Sequence, residues 1–169
     1  MNPTLAAWNE AYESSATDAM IACCGASRWA AAMVGLRPIA NVVELSTAAD
    51  RVWATMGEGD WMEAFACHPR IGSRTAAHAT ARSAAWSDEE QSKARIADQV
   101  VLAELAEGNA DYERKFGFTY IVCATGKTAG EMLTILKRRL ASDRATELRD
   151  AAEQQRQIMQ IRLGKWLVS

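Results

Sequence analysis

The residues best suited to acid–base chemistry are the histidines, and the chain has only two, His68 and His78. His68 follows a short apolar segment, 61–67, that we expect to be helical. It also precedes Pro69, and a proline disfavours the α conformation in the residue before it, so the imidazole should leave the helix at a rigid turn. Position alone leaves two interpretations open: an imidazolium that stabilises the helix C-terminus, or a general acid or base. His78 lies in a polar stretch and is interpreted as a solvated side chain.

The segment Ser87-Asp88-Glu89-Glu90 has the Ser-x-x-Glu spacing of a capping box. It therefore predicts the start of a long helix that runs to about Glu107 and is closed by Gly108-Asn109. Glu90 then has a purely structural interpretation. The alternative is functional, because the free amides of a helix N-terminus can hold an anion. Gln91 would add an amide that can read a polar heterocycle.

Arg162 lies on the last predicted helix, on one stripe at three- and four-residue steps with Leu148, Ala152, Gln155, Met159 and Trp166. Two interpretations remain open for it. Arginine can lay its stem along an apolar surface and keep its charged head in water. Alternatively, the planar guanidinium reaches into a cleft and pairs with a carboxylate or ureido oxygen.

Most apolar positions recur at helical spacing, so we predict an all-α fold, a compact single-domain helical bundle covering residues 1–169. The run 116–124 is the exception, because its aromatic and β-branched residues favour an extended or distorted segment. The predicted helices cover Leu5–Ile21, Ser27–Val34, Ser46–Met56, Trp61–Cys67, Ser87–Glu107, a helix after Gly126 through Met132–Leu140, and Asp143–Trp166.

Composition excludes several function classes. The formal net charge of -2 lacks the excess of Lys and Arg that nucleic-acid binding requires, so no nucleic-acid partner is expected. No apolar run approaches the length of a membrane span, and the four cysteines lack zinc-ligand spacing, which favours reduced thiols in the cytoplasm. There is no glycine-rich nucleotide loop, His-Glu-x-x-His or Gly-x-Ser-x-Gly either.

A series of short motifs, in order along nearly the whole chain, resembles the family of 2-oxo-4-hydroxy-4-carboxy-5-ureidoimidazoline (OHCU) decarboxylases. Each motif is modest alone, but together they are specific. They are Cys24-Gly25-Ala26-Ser27-Arg28-Trp29, Arg37-Pro38, His68-Pro69-Arg70-Ile71-Gly72, Ser87-x-x-Glu90-Gln91, Lys115-Phe116-Gly117-Phe118 and Ile158-x-x-x-Arg162-Leu163.

The resemblance implies a compact all-α enzyme of purine catabolism that needs no metal or organic cofactor and that forms a homodimer. It would convert the small-molecule substrate OHCU to (S)-allantoin and CO2. His68 would be the catalytic acid and Glu90 its partner. The residues expected to contact the substrate are Pro69, Ser87, Asp88, Glu89, Gln91, Arg162 and the backbone of Tyr120, Ile121, Val122, Cys123 and Ala124.

Two alternatives to this function are open. A non-catalytic helical module would bind a protein partner through an apolar face and would not accelerate decarboxylation. A decarboxylase with an altered pocket would prefer a related ureido acid.

Overall fold

A computed structural model describes residues 2–71, 80–90 and 99–169. The predictions for Gly72, His78 and Gln91 lie outside these residues. The described part of the chain is helical and has no strand, which confirms the all-α prediction. Its helices are α1 (Pro3–Glu10), α2 (Glu13–Cys24), α3 (Ser27–Gly35), α4 (Val42–Trp53), α5 (Glu58–Ala66), α6 (Ala81–Glu90), α7 (Gln99–Phe116), α8 (Ala129–Arg139) and α9 (Arg144–Trp166).

The residues form two compact units. Unit 1 comprises Met1–Ala64 and Arg156–Ser169, and unit 2 comprises Phe65–Gln155. Helices α5 and α9 therefore contribute residues to both units. That the chain as a whole is one domain stays a prediction. None of the described helices combines the length and the apolar character needed to span a membrane.

In unit 1, the prediction of one continuous first helix over Leu5–Ile21 is wrong. Helix α1 ends at Glu10 because the backbone of Ala11 is extended, with ψ at 153°. The guanidinium of Arg37 donates hydrogen bonds to the carbonyls of Trp8 and Ala11, each at 2.8 Å. Arg37 thus satisfies carbonyls that the end of a helix leaves without partners. This stop signal comes from a distant residue, so local periodicity cannot show it.

The other boundaries of unit 1 follow local capping chemistry. Gly25 ends α2 in the left-handed conformation, with φ at 88°, as its position in the sequence predicts. Helix α4 starts earlier than the predicted Ser46, because the side chain of Asn41 accepts a hydrogen bond from the Glu44 amide at 2.9 Å. The core of the unit includes the fully buried Trp29 and an edge-on contact between Trp8 and Trp166.

In unit 2, the prediction that Ser87 opens a helix is also wrong. Helix α6 already begins at Ala81, and its cap is Thr80, whose hydroxyl oxygen accepts a hydrogen bond from the Ser83 amide at 3.1 Å. The segment from Ser87 to Glu90 occupies the second half of the helix. Amides at such positions are bonded within the helix, so they cannot hold an anion as free N-terminal amides do.

The predicted helix end at Gly108-Asn109 is wrong as well, because α7 continues through both residues to Phe116. Gly108 serves packing instead of termination. A Cβ atom at this position would lie 2.7 Å from the Cδ2 atom of Leu136, a side chain of α8 that is 0% exposed. The glycine therefore allows α7 and α8 to approach closely.

An aromatic cluster forms the core of unit 2 and precedes the one long irregular segment of its described residues. Gly117 has φ at 82°, which favours glycine, and it lets Phe116 and Phe118 both point into the core. Phe118 packs on Phe65 of α5 and edge-on to Tyr112 of α7. Residues 119–124 then continue without helix or strand, which confirms the predicted extended or distorted segment.

The last two helices agree with the sequence. Thr128 caps α8 in a capping box with Glu131, and α9 begins at Arg144, next to the predicted Asp143, and ends at the predicted Trp166. The boundary signals of these two helices are thus readable in the sequence, whereas the contact by which Arg37 ends α1 is not.

Two glycines within helices, Gly108 and Gly164, provide a matched test of the packing of α7 on α8. We expect Gly164→Ala to raise the free energy of unfolding by about 0.5–1 kcal/mol, because no atom lies within 4 Å of its added Cβ. Gly108→Ala should instead lower it by about 1–2 kcal/mol through overpacking against Leu136. Urea unfolding followed by far-UV circular dichroism measures both values. Equal stabilisation by the two substitutions would contradict the proposed close approach.

Candidate active site

His68 lies just beyond the C-terminus of α5, as predicted. Its amide donates to the carbonyl of Phe65 at 3.1 Å, and the following Pro69 is buried. Its imidazole is half-buried, and the Nε2 atom lies 2.7 Å from Oε1 of Gln155 on α9. The side chain of Gln155 is 0% exposed, so the imidazole is held by a partner that is itself fixed in the core.

This contact favours one tautomer of the imidazole. An amide oxygen only accepts hydrogen bonds, so the contact forms when the Nε2 atom of His68 carries a proton. Sequence reasoning missed Gln155 as a site residue. The available signal was a polar side chain on the same α9 stripe as Arg162.

Arg70, two residues after His68, anchors the turn to α7. Its Nε and Nη2 atoms donate to the two carboxylate oxygens of Glu113, at 2.6 and 2.5 Å. The hydrogen bond and charge of Glu113 raise the pKa of the Arg70 guanidinium. Such a two-point contact restricts the direction of the turn more than a single hydrogen bond would.

Glu90, the last residue of α6, is half-buried and lies within electrostatic range of Cys123. The pKa of the Cys123 thiol is raised mainly by burial, and the Glu90 carboxylate contributes in the same direction, while Lys127 opposes it. A thiol with a raised pKa is protonated at neutral pH and is a poor nucleophile. The Glu90 carboxylate therefore acts electrostatically on the segment 120–124, and the thiol has no obvious chemical role.

The backbone of this segment is held by three side chains. The Nη1 atom of Arg139 donates to the Ile121 carbonyl at 2.6 Å, and the Cys123 amide donates to Oε1 of Gln154 at 2.9 Å. The Nζ atom of Lys127 donates to the Cys123 carbonyl at 2.8 Å. These three contacts, which we call the backbone clamps, fix the segment without a strand partner.

The clamp residue Arg139 is itself part of a buried polar cluster. Its Nε atom donates to Oε1 of Glu147 at 2.7 Å, and the hydroxyl of Tyr112 donates to the same oxygen. Burial opposes the charge of Arg139, but the hydrogen bond and the attraction to Glu147 outweigh it, so its pKa is raised. Burial is also the main reason why the pKa of Tyr112 is raised, so its hydroxyl stays protonated and remains a donor.

The side chain of Tyr120 also points into the core of unit 2. Its hydroxyl donates to the Met132 carbonyl at 3.1 Å, and burial raises its pKa. The ring additionally packs against the Arg139 guanidinium, at 5.0 Å from the ring centroid. The side chain of Tyr120 is therefore occupied within the core, and the geometry favours a substrate contact through its backbone.

The remaining predicted site residues differ in exposure. Ser87 is buried, Asp88 is half-buried and Glu89 is exposed. Arg162 belongs to unit 1, and its side chain is only 1% exposed, so the interpretation that keeps its charged head in water is wrong. A buried guanidinium is expected to be paired.

No group of three or more His, Cys, Asp and Glu residues that could hold a metal ion occurs among the described residues. The donors gathered at His68 and at the segment 120–124 are an imidazole, side-chain amides and backbone groups. Such donors are suited to proton transfer and to hydrogen bonding of a small polar ring.

Comparison with known proteins identifies the family. The family model described as OHCU decarboxylase matches residues 5–164. The chain belongs to the OHCU decarboxylase family. This confirms the resemblance that the motifs indicated. A crystal structure titled as an OHCU decarboxylase in the presence of (S)-allantoin superimposes with a TM-score of 0.77 at 34% identity, and the match covers 90% of this chain and 99% of that one.

Two relatives extend the comparison. The chain is 38% identical over 144 residues to the uric acid degradation bifunctional protein TTL of Arabidopsis thaliana, a match that covers 85% of this chain and 44% of that protein. It is 27% identical over 134 residues to the 2-oxo-4-hydroxy-4-carboxy-5-ureidoimidazoline decarboxylase of Amia calva, covering 79% and 77%. The chain thus spans less than half the length of the bifunctional plant relative.

Cys123 provides a test of whether the segment acts through its backbone or through the thiol. We expect Cys123→Ala to keep decarboxylase activity within about threefold of wild type, because the protonated thiol contributes no charge and the backbone is unchanged. Steady-state kinetics measure this. A loss of more than about a hundredfold, the size expected for removal of a group that acts on the reacting atoms, would show that the thiol takes part.

Proposed function

We propose that the chain decarboxylates OHCU to (S)-allantoin and CO2 in urate degradation. The observation that carries the proposal is the family match over residues 5–164, together with an imidazole whose Nε2 atom is held by a buried amide. The likeness to an OHCU decarboxylase structure over 90% of the chain supports the same conclusion. On this basis we also propose that the two units make up one domain, because a single family model spans both.

The proposed reaction has two steps, the loss of CO2 from the substrate and the delivery of a proton to its ring. Loss of CO2 breaks the bond between the carboxylate and the ring, and the electron pair passes into the conjugated ring. A proton must then be delivered to the ring carbon that becomes the stereocentre of allantoin. His68 supplies this proton from one face, and a positioned acid of this kind contributes about 10²- to 10⁴-fold to the rate.

Glu90 is the proposed partner of His68. Its carboxylate either accepts the hydroxyl proton of the substrate or disfavours the ground state by standing near the substrate carboxylate. Its half-buried position near Cys123 supports a place at the segment 120–124. Its location in the second half of α6 removes the capping-box explanation for its presence.

The proposed substrate contacts divide into backbone and side-chain groups. The backbone of residues 120–124 would read the ring and the ureido group, since this buried segment has no helical or strand hydrogen bonding of its own. Pro69, Ser87, Asp88, Glu89, Gln91 and Arg162 remain proposed substrate contacts. For Arg162, the buried guanidinium fits pairing with an anionic or ureido oxygen.

We also propose a homodimer in the cytoplasm. Three apolar side chains close together in the sequence, Leu36, Val42 and Val43, are 47%, 40% and 76% exposed in unit 1 and would suit a second copy of the chain. All four cysteines are buried, which fits reduced thiols in a reducing compartment.

The two histidines give a matched test of the proposed acid. We expect His68→Asn to lower kcat by at least about a hundredfold and to abolish the excess of (S)-allantoin, because the facial proton donor is lost. His78→Asn should leave both unchanged. Decarboxylation of freshly generated substrate, followed by circular dichroism at the absorption of allantoin, measures rate and configuration together.

The same assay tests Glu90 and the alternatives. Glu90→Gln should reduce kcat by about tenfold or more if the carboxylate handles a proton. Wild-type protein that gives no acceleration would contradict the proposed function and favour a non-catalytic module. A higher kcat/KM for a related ureido acid would instead contradict the assignment of OHCU as the substrate.

A further inference from the structure

The peptide units around Val122 are fixed from one side. Arg139 holds the carbonyl of Ile121, Gln154 holds the amide of Cys123 and Lys127 holds the carbonyl of Cys123. These atoms belong to three consecutive peptide units, 121–122, 122–123 and 123–124. The three clamp residues also line one cavity of about 330 Å³, so their side chains lie close to one another.

Peptide geometry then determines what the opposite side presents. These peptide bonds are trans, and in a trans unit the C=O and the next N–H point in opposite directions. The Ile121 and Cys123 carbonyls and the Cys123 amide face the clamps. The Val122 amide, the Val122 carbonyl and the Ala124 amide therefore face away from them.

The backbone N–H and C=O of Val122 have no structural role as hydrogen-bonding groups within the described residues. Val122 is only 6% exposed, yet neither its N–H nor its C=O makes a hydrogen bond with any residue that the structure describes. Buried backbone groups without a partner are rare, because each costs free energy comparable to a lost hydrogen bond. A donor and an acceptor side by side are complementary to a ring amide or ureido group, which carries one of each.

Stability alone does not explain why the buried cluster behind Arg139 is charged. Replacing a buried ion pair by apolar residues of similar volume is often neutral or stabilising. An apolar pair in place of Arg139 and Glu147 could not donate to the Ile121 carbonyl, however. The hydrogen bond to the backbone is thus the property that the charged pair adds.

We propose that Arg139, Gln154 and Lys127 are positioning residues that aim the Val122 N–H and C=O at the amide or ureido group of the substrate. This inference rests on the proposed function and assigns a task to residues that do not touch the substrate. Because the Val122 pair binds substrate and transition state alike, loss of a clamp raises KM and leaves kcat nearly unchanged. Loss of His68 should instead lower kcat and leave KM nearly unchanged.

Gln154 gives the sharpest variant, because its side chain is only half-buried and its replacement leaves the Arg139–Glu147 pair intact. Gln154→Met removes the acceptor for the Cys123 amide at similar size. Gln154→Glu keeps an oxygen acceptor and should restore the hydrogen bond from the Cys123 amide. Arg138→Met is the matched control, because Arg138 lines the same cavity and makes no hydrogen bond to the segment.

The experiment combines kinetics with amide NMR, using (S)-allantoin as the probe. We expect Gln154→Met to raise KM and the Kd of (S)-allantoin about tenfold, the effect of one lost hydrogen bond. The ligand-induced shift of the Val122 amide resonance should shrink in this variant. Gln154→Glu should recover most of the affinity, and Arg138→Met should behave as wild type.

The outcomes separate this inference from the proposed function. An active wild type whose Gln154→Met variant keeps its KM and its Val122 shift would overturn the positioning role alone. An equal rise of KM and of the Kd of (S)-allantoin in Gln154→Met and Arg138→Met would also overturn the positioning role. A general change in cavity charge or stability would then explain the loss of affinity. A wild type without decarboxylase activity would overturn both.

Discussion

The buried pair of Arg139 and Glu147 is the interaction on which the arrangement of unit 2 depends. Arg139 is 5% exposed and Glu147 is 0% exposed, so neither charge is stabilised by water. The pair therefore needs all of its neighbours, the Tyr112 hydroxyl on one side and the Ile121 carbonyl on the other. Through these contacts it joins α7, α8 and α9 to the irregular segment that follows Phe118.

This constraint explains how a helical protein keeps a segment without helical hydrogen bonds. Regular helices satisfy their own backbone groups and have few left to offer a ligand. Residues 119–124 leave theirs available, and side chains then satisfy one side and fix the direction of the other. The proposed proton donor, His68, is held separately by its contact with Gln155. Recognition and proton transfer can therefore be altered independently.

The sequence was sufficient for the fold class, the family and the place of His68, because helical periodicity, Pro69 and the ordered motifs are local patterns. It was insufficient where local signals compete or where a distant side chain decides the outcome. Thr80 caps α6 ahead of the competing Ser-x-x-Glu spacing at Ser87, and Arg37 ends α1 from outside the helix. Arg139 stands at the end of a Lys-Arg-Arg run that looks solvent-exposed in the sequence, and only the packed structure shows that it is buried.

The most direct test of the account is a crystal structure of the protein with (S)-allantoin. We predict that the ring or ureido group lies within about 3.2 Å of both the Val122 amide and the Val122 carbonyl, with its stereocentre facing the imidazole of His68. Allantoin bound in the cavity lined by Lys127 and Gln154, or bound without contact to Val122 and His68, would contradict the account.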